Sequence, residues 1–152
     1  MKLLYITNPW MADSDFPLIR AYQQKRLDVT VLILMSPNAM AATLFNIKNG
    51  LSKTIIVPSA YFPELRLYSQ YMDMSKVYIL NITSNKAHSW SYIKSTFLMK
   101  KFIKEGGYDL VHAINFLGIE RKKLYLLVRP WITTVHDPIP HSSNNRNRQK
   151  KR

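Results

Sequence analysis

Six short runs of apolar and β-branched residues recur along the chain: Leu3–Thr7, Val29–Met35, Thr54–Pro58, Val77–Thr83, Asp109–Ile114 and Trp131–His136. Most of them do not alternate. A strand with one face in water shows every second residue polar, whereas a run that is apolar at nearly every position must be covered on both faces. Several of the intervening stretches have helical character, so strands and helices alternate. That pattern predicts the α/β class: a Rossmann-like, doubly wound, mostly parallel sheet of about six strands, with helices on both faces and right-handed crossovers. Sheets of this kind bind ligands beyond the carboxyl ends of their strands. Chemistry is therefore expected just after Thr7, after Ile114 and after Val135.

Helix signals support the same layout. Asp15 is placed to cap a helix opened by Phe16-Pro17, with Leu18, Ile19 and Tyr22 as its apolar stripe. Ser36-Pro37 starts another that stops at Asn49-Gly50, and Pro63 opens a third through about Met72. The clearest helix runs from Ser89 to Glu105 and is ended by Gly106-Gly107. One of its faces carries Tyr92, Met99, Phe102 and Ile103, which suits packing on a sheet. The opposite face aligns Trp90, Ile93 and Phe97 with Lys94, Lys101 and Lys104. Two readings of that outer face are open: a helix packed on two sides with lysines reaching to water, or an aromatic and basic stripe resting on a bilayer interface.

The chain has 152 residues, enough for one domain with its own core, and 47% of them are hydrophobic. With no cysteine it has no disulfide scaffold, thiolate zinc site or cysteine nucleophile. No apolar run approaches the roughly 18 residues of a spanning helix. The opening apolar stretch Leu3–Ile6 is too short for a signal peptide, so it is read as the first strand of a cytoplasmic protein. The net charge is +13, and five of those charges lie in the tail, at Arg146, Arg148, Lys150, Lys151 and Arg152. A basic body points to phosphate-rich or otherwise anionic partners, or simply to a well-solvated surface.

Several chemical motifs are missing. The loop after the first strand reads Asn8-Pro9-Trp10-Met11-Ala12-Asp13, with no glycine-rich fingerprint to let a backbone approach a pyrophosphate. Asp13-Ser14-Asp15 has the spacing of a metal-binding DxD, but it stands where a helix start is expected; no metal site is assigned. His88 and His141 fall in polar loops and are read as surface histidines. His112 interrupts an apolar strand, so it is either a sheet histidine bonded to backbone or a ligand-facing group. His136 closes the last strand and is followed by Asp137-Pro138. Pro138 biases Asp137 toward an extended conformation, and a neighbouring carboxylate can fix an imidazole's tautomer.

Three segments, MKLLYITNPW, YDLVHAINF (108–116) and WITTVHDPIPHSS (131–143), in this order and spacing, resemble the N-terminal domain of GT-B-fold glycosyltransferases, particularly the retaining, family-four-like group. The resemblance covers essentially the whole chain but only the first half of such an enzyme. It implies that residues 1–143 form a Rossmann-like, acceptor-binding domain. The basic stretch 144–152 would then begin the connection to a C-terminal donor-binding domain, which in the family carries a Glu-x7-Glu element.

The resemblance also implies roles. His136 matches the family's histidine in the Thr-x-His-Asp position and would be the catalytic residue, contacting the transferred sugar. Asn8, Trp10, His112, Asn115 and Asp137 would line the acceptor side. Relatives often carry Gly-Gly in the first loop; its absence here favours an acceptor-shaping role for Trp10 over phosphate contact. The implied reaction is metal-independent transfer of a hexosyl unit to a saccharide or lipid-linked acceptor, of the kind that builds bacterial cell-surface polysaccharide. It uses no cofactor beyond the nucleotide-sugar co-substrate and takes place in the cytoplasm or peripherally on the inner face of an anionic membrane, with no nucleic acid as partner. The competing reading is a non-enzymatic basic α/β module that binds nucleic acid.

Overall fold

The chain's computed structural model describes residues 1–40, 45, 47, 50–84, 86, 88–114 and 124–135. Asn115, His136, Asp137, His141 and the basic tail lie outside the described residues, as does most of the helix expected between Ser36 and Asn49. All six expected strands form: β1 (Lys2–Thr7), β2 (Asp28–Met35), β3 (Ile55–Pro58), β4 (Val77–Asn81), β5 (Leu110–Ile114) and β6 (Trp131–Thr134). They make one sheet in the order β3-β4-β2-β1-β5-β6. Every neighbouring pair is parallel except β3 with β4.

The inner strands β1, β2, β4 and β5 are largely buried on both sides, whereas the edge strands β3 and β6 are partly exposed, Ile55 at 40% and Ile132 at 45%. Leu3 and Tyr5 of β1 face the same layer as Val31 and Ile33 of β2, where α1 (Ala12–Gln24) packs through Phe16 and Ile19. Leu4 and Ile6 face the other layer, with Leu32, Leu80 and Val111, beneath Met99 and Ile103 of α3. A period of two along each strand thus feeds two cores.

α3 (Trp90–Gly106) agrees with its sequence signals. The Ser89 hydroxyl caps it by accepting from the Tyr92 N–H at 3.2 Å, and Gly107 ends it at φ 59°. That left-handed turn suits glycine. At Gly106 a Cβ would run into the Tyr108 ring.

Two expectations are corrected. First, Asp15 does not cap a helix opened by Phe16-Pro17. The Asn8 side chain caps a 3-10 turn, Pro9–Met11, that leads straight into α1 at Ala12. Asp15 therefore falls inside α1 and turns inward. Second, the segment opened by Pro63 is a 3-10 helix, Pro63–Gln70, not an α-helix. Phe62, Leu65, Tyr68 and Tyr71 recur every three residues, and a three-residue turn puts all four on one side. The sheet is mostly parallel, as expected, and its one antiparallel pair is β3 with β4. The link between them holds only 3-10 turns, and a short edge strand ending in Pro58 has no need of a crossover helix.

α1 ends in a Schellman turn. The Arg26 N–H donates to Gln23 O at 2.9 Å and the Leu27 N–H to Tyr22 O at 3.2 Å. Arg26 holds the left-handed position at φ 61°, where a side chain is strained. Arg26→Gly is therefore expected to raise the unfolding free energy by about 0.5–1 kcal/mol, as relief of strain outweighs the added freedom of the unfolded chain. A urea melt measures it, and a lower midpoint would contradict the expectation.

Candidate functional site

The strand order reverses between β1 and β5. The chain leaves β1 toward the α1 face, whereas Leu124, Leu127 and Val128, downstream of β5, pack on the α3 face. In open α/β sheets the carboxyl edge at such a reversal is the usual ligand position. β1, β5 and β6 are neighbours there and all run the same way, with Tyr5 paired to His112 and Ile114 to Thr134.

A polar seam lies just beneath this edge, on the α1 side. Tyr5 Oη donates to Asp15 Oδ1 at 3.1 Å, and the Thr7 hydroxyl donates to the other oxygen of the same carboxyl. Asp15 is only 1% exposed. Burial, reinforced by the neighbouring Asp15, pushes the Tyr5 hydroxyl far above its ordinary range, so it stays a donor. Beside this group His112 is held at both ring nitrogens: Nδ1 meets the Tyr22 hydroxyl at 3.1 Å and Nε2 the Thr134 hydroxyl at 2.8 Å. Its ring also stands edge-on to Tyr5, 4.8 Å between centroids. Either neutral tautomer is satisfied, because each hydroxyl can donate or accept.

The site residues predicted from the sequence therefore divide. His112 is 4% exposed and bonds to side chains of α1 and β6, so it is held inside the sheet layer. Asn8 is occupied in shaping the loop: its Oδ1 accepts from the Trp10 N–H at 3.0 Å. Trp10, 58% exposed, projects from that loop and is open to a ligand. Asp13 and Asp15 are two residues apart on a helix, and such residues do not face each other. Asp13 is in solvent and Asp15 in the seam. Among the described residues no three His, Asp or Glu side chains gather as a metal site would require.

Reading the sequence missed Tyr5, Thr7, Asp15, Tyr22 and Thr134 as a group. The available signals were the polar members inside apolar strands and the placement of Asp15 four and seven residues before Ile19 and Tyr22, on one helix face.

Burial holds the His112 pKa below its ordinary 6.5. The unfolded chain binds a proton near pH 6.5 that the folded chain refuses, so unfolding takes up a proton below that value. The contribution of neutral His112 is complete above pH 6.5 and is lost as pH falls through the lower folded value. Urea midpoints should therefore decline from pH 7 toward pH 5, and His112→Gln should flatten that decline. An unchanged slope in the variant would remove His112 as its source.

The second exposed feature is on α3. Trp90 and Phe97 are 78% and 66% exposed, with Ile93 exposed between them and Lys94, Lys101 and Lys104 exposed nearby. Among the described residues nothing covers this face. No helix among the described residues is long and apolar enough to cross a membrane.

No model of a known protein family matches the chain, and no curated protein matches it. Among solved structures, the chain is similar to the C-terminal domain of a hydrogenase from Pyrococcus furiosus. The TM-score is 0.52 and the identity 16%, over 88% of this chain and 89% of that one. A likeness at that identity speaks for the α/β fold alone.

Proposed function

We propose that this chain is the acceptor-side domain of a GT-B-type glycosyltransferase, which moves a sugar from a nucleotide-sugar donor to a saccharide or lipid-linked acceptor. One observation supports the reading. The three segments that carry the resemblance are far apart in sequence, yet they supply the adjacent parallel strands β1, β5 and β6, which end at one edge of the sheet. Trp10 stands exposed at that edge, and His136 follows β6 by two residues in the sequence.

The chemistry suits such an edge. Glycosyl transfer passes through an oxocarbenium-like centre while a diphosphate leaves with added negative charge. Fixed donors placed where that charge develops lower the barrier. In this reading His136 provides one, Asp137 sets its orientation, Trp10 shapes the acceptor side, and the donor is held mainly by a second domain. The full product of the gene should release nucleoside diphosphate from a UDP- or GDP-sugar when given a lipid-linked saccharide, and residues 1–152 alone should not. Absence of turnover by the full product across a panel of such donors, or turnover by the 152-residue chain, would overturn the proposal.

The exposed stripe of α3 supports a peripheral site of action on an anionic membrane. Indole and phenyl rings favour the headgroup boundary, and lysines add attraction to acidic lipids. The chain is expected to sediment with vesicles containing phosphatidylglycerol and not with pure phosphatidylcholine, and Trp90→Ser with Phe97→Ser should release it. Equal, negligible sedimentation with both would sink the membrane part.

A further inference from the structure

β6 is an edge strand of four residues, held on one side by β5. Trp131 secures its start by packing on the α3 side of the sheet, with its ring 4.7 Å from Tyr125, but Ile132 is 45% exposed. A polar contact fixes its end: Thr134 Oγ1 lies 2.8 Å from His112 Nε2. The other ring nitrogen, Nδ1, lies 3.1 Å from the Tyr22 hydroxyl. Tyr22 belongs to α1, which packs on β1 and β2. One imidazole of β5 therefore bridges a helix on one side and an edge strand on the other.

The ring is held in its orientation. Tyr5 stands edge-on to it at 4.8 Å and Tyr22 at 6.0 Å, and the Tyr5 hydroxyl is itself committed to Asp15. With His112 4% exposed, burial keeps the imidazole in its neutral form at neutral pH and above.

A neutral imidazole has one nitrogen that donates and one that accepts. The two hydroxyls on it cannot choose their roles independently: when one accepts, the other must donate. Their chemistry sets the order. A phenol, with a pKa of about 10, is far more acidic than an aliphatic alcohol, so tyrosine is the better donor and threonine the better acceptor. The matched arrangement has Tyr22 Oη donating to Nδ1 while Nε2–H donates to Thr134 Oγ1.

We infer that His112 is a positioning residue: its single ring hydrogen, held on Nε2, joins the roles of the Tyr22 and Thr134 hydroxyls and so couples α1 to the end of β6. That the strand end so placed serves sugar transfer, with His136 two residues farther along the sequence, rests on the glycosyltransferase reading; the coupling itself does not.

The test begins with the 152-residue chain, isotopically labelled on its histidine nitrogens and observed by NMR at about pH 8, where the ring is neutral. The parent should carry the ring hydrogen on Nε2. Thr134→Val, nearly equal in shape, removes the acceptor and should move hydrogen to Nδ1, whereas Thr134→Ser should keep it on Nε2. Tyr22→Phe should speed amide exchange at Thr133 and Thr134 about tenfold, the scale of one lost hydrogen bond, although residue 22 lies on another element. In urea melts, the unfolding constant of Tyr22→Phe with Thr134→Val should depart from the product of the single effects by about threefold or more. A parent hydrogen on Nδ1, an unmoved tautomer in Thr134→Val, unchanged exchange in Tyr22→Phe or a purely multiplicative double variant would each overturn the inference, whatever the chain's activity. In the full gene product Thr134→Val should lower kcat about fivefold with KM nearly unchanged, and Thr134→Ser should not. An unaltered kcat in an active Thr134→Val enzyme would overturn the positioning role. Coupling found in a full product that transfers no sugar would instead sink the glycosyltransferase reading and support the tie between α1 and β6.

Discussion

Asp15→Ala is expected to lower the unfolding free energy by about 3 kcal/mol, the largest stability loss of any single change in the polar seam. The Asp15 carboxyl is buried between β1 and α1 and accepts from the hydroxyls of Tyr5 and Thr7. Alanine leaves both hydroxyls without that acceptor. A buried polar group stripped of its partner costs roughly 1–3 kcal/mol. Tyr5→Phe should cost only about 1 kcal/mol, since it removes one donor and leaves Thr7 in place. Asp15→Asn keeps the shape and one acceptor oxygen and should fall between the two. The double-mutant cycle of Asp15→Ala with Tyr5→Phe, read from urea melts, isolates their coupling. A coupling near zero, or a loss below about 1 kcal/mol for Asp15→Ala, would show that the seam does not hold α1 to the sheet.

On the proposed glycosyltransferase reading, His136→Ala is expected to reduce kcat of the full gene product by roughly 10²–10³-fold, the usual effect of deleting one group that stabilises developing charge. The change should fall on kcat more than on KM, because an interaction made mainly in the transition state adds little to ground-state binding. β6 runs parallel to β5 and ends at Thr134, whose hydroxyl is tied to His112 Nε2 at 2.8 Å, so the strand that precedes His136 is anchored. His136→Gln, which keeps a hydrogen-bond donor, should retain more activity than alanine. Rates within about threefold of the parent for His136→Ala would remove this histidine from the mechanism.

Those two residues show what reading the chain alone notices and what it passes over. His136 stands out in sequence because an imidazole, a carboxylate and a proline close an apolar run. Asp15 did not, because an acidic residue before a proline looks like a helix cap, and only the earlier start of α1 at Ala12 turns it inward. Likewise His112 is visible as a polar break in a strand. That its partners are Tyr22 and Thr134, 90 and 22 residues away, is not visible.

The sequence by itself determined the elements: six strands from mostly continuous apolar and β-branched runs, α3 from its serine cap and glycine stop, and a sheet covered on both faces along its inner strands. Those signals are local, since burial on both faces, capping and left-handed turns are requirements on neighbouring residues. Tertiary structure alone decided that β1, β5 and β6 are neighbours, that β3 runs backwards, and that Tyr5, Asp15, Tyr22, His112 and Thr134 meet. Apolar strands of similar composition can pair in many orders. Connection length, layer packing and the need to satisfy buried polar groups choose among them, and those constraints act only once the chain is folded.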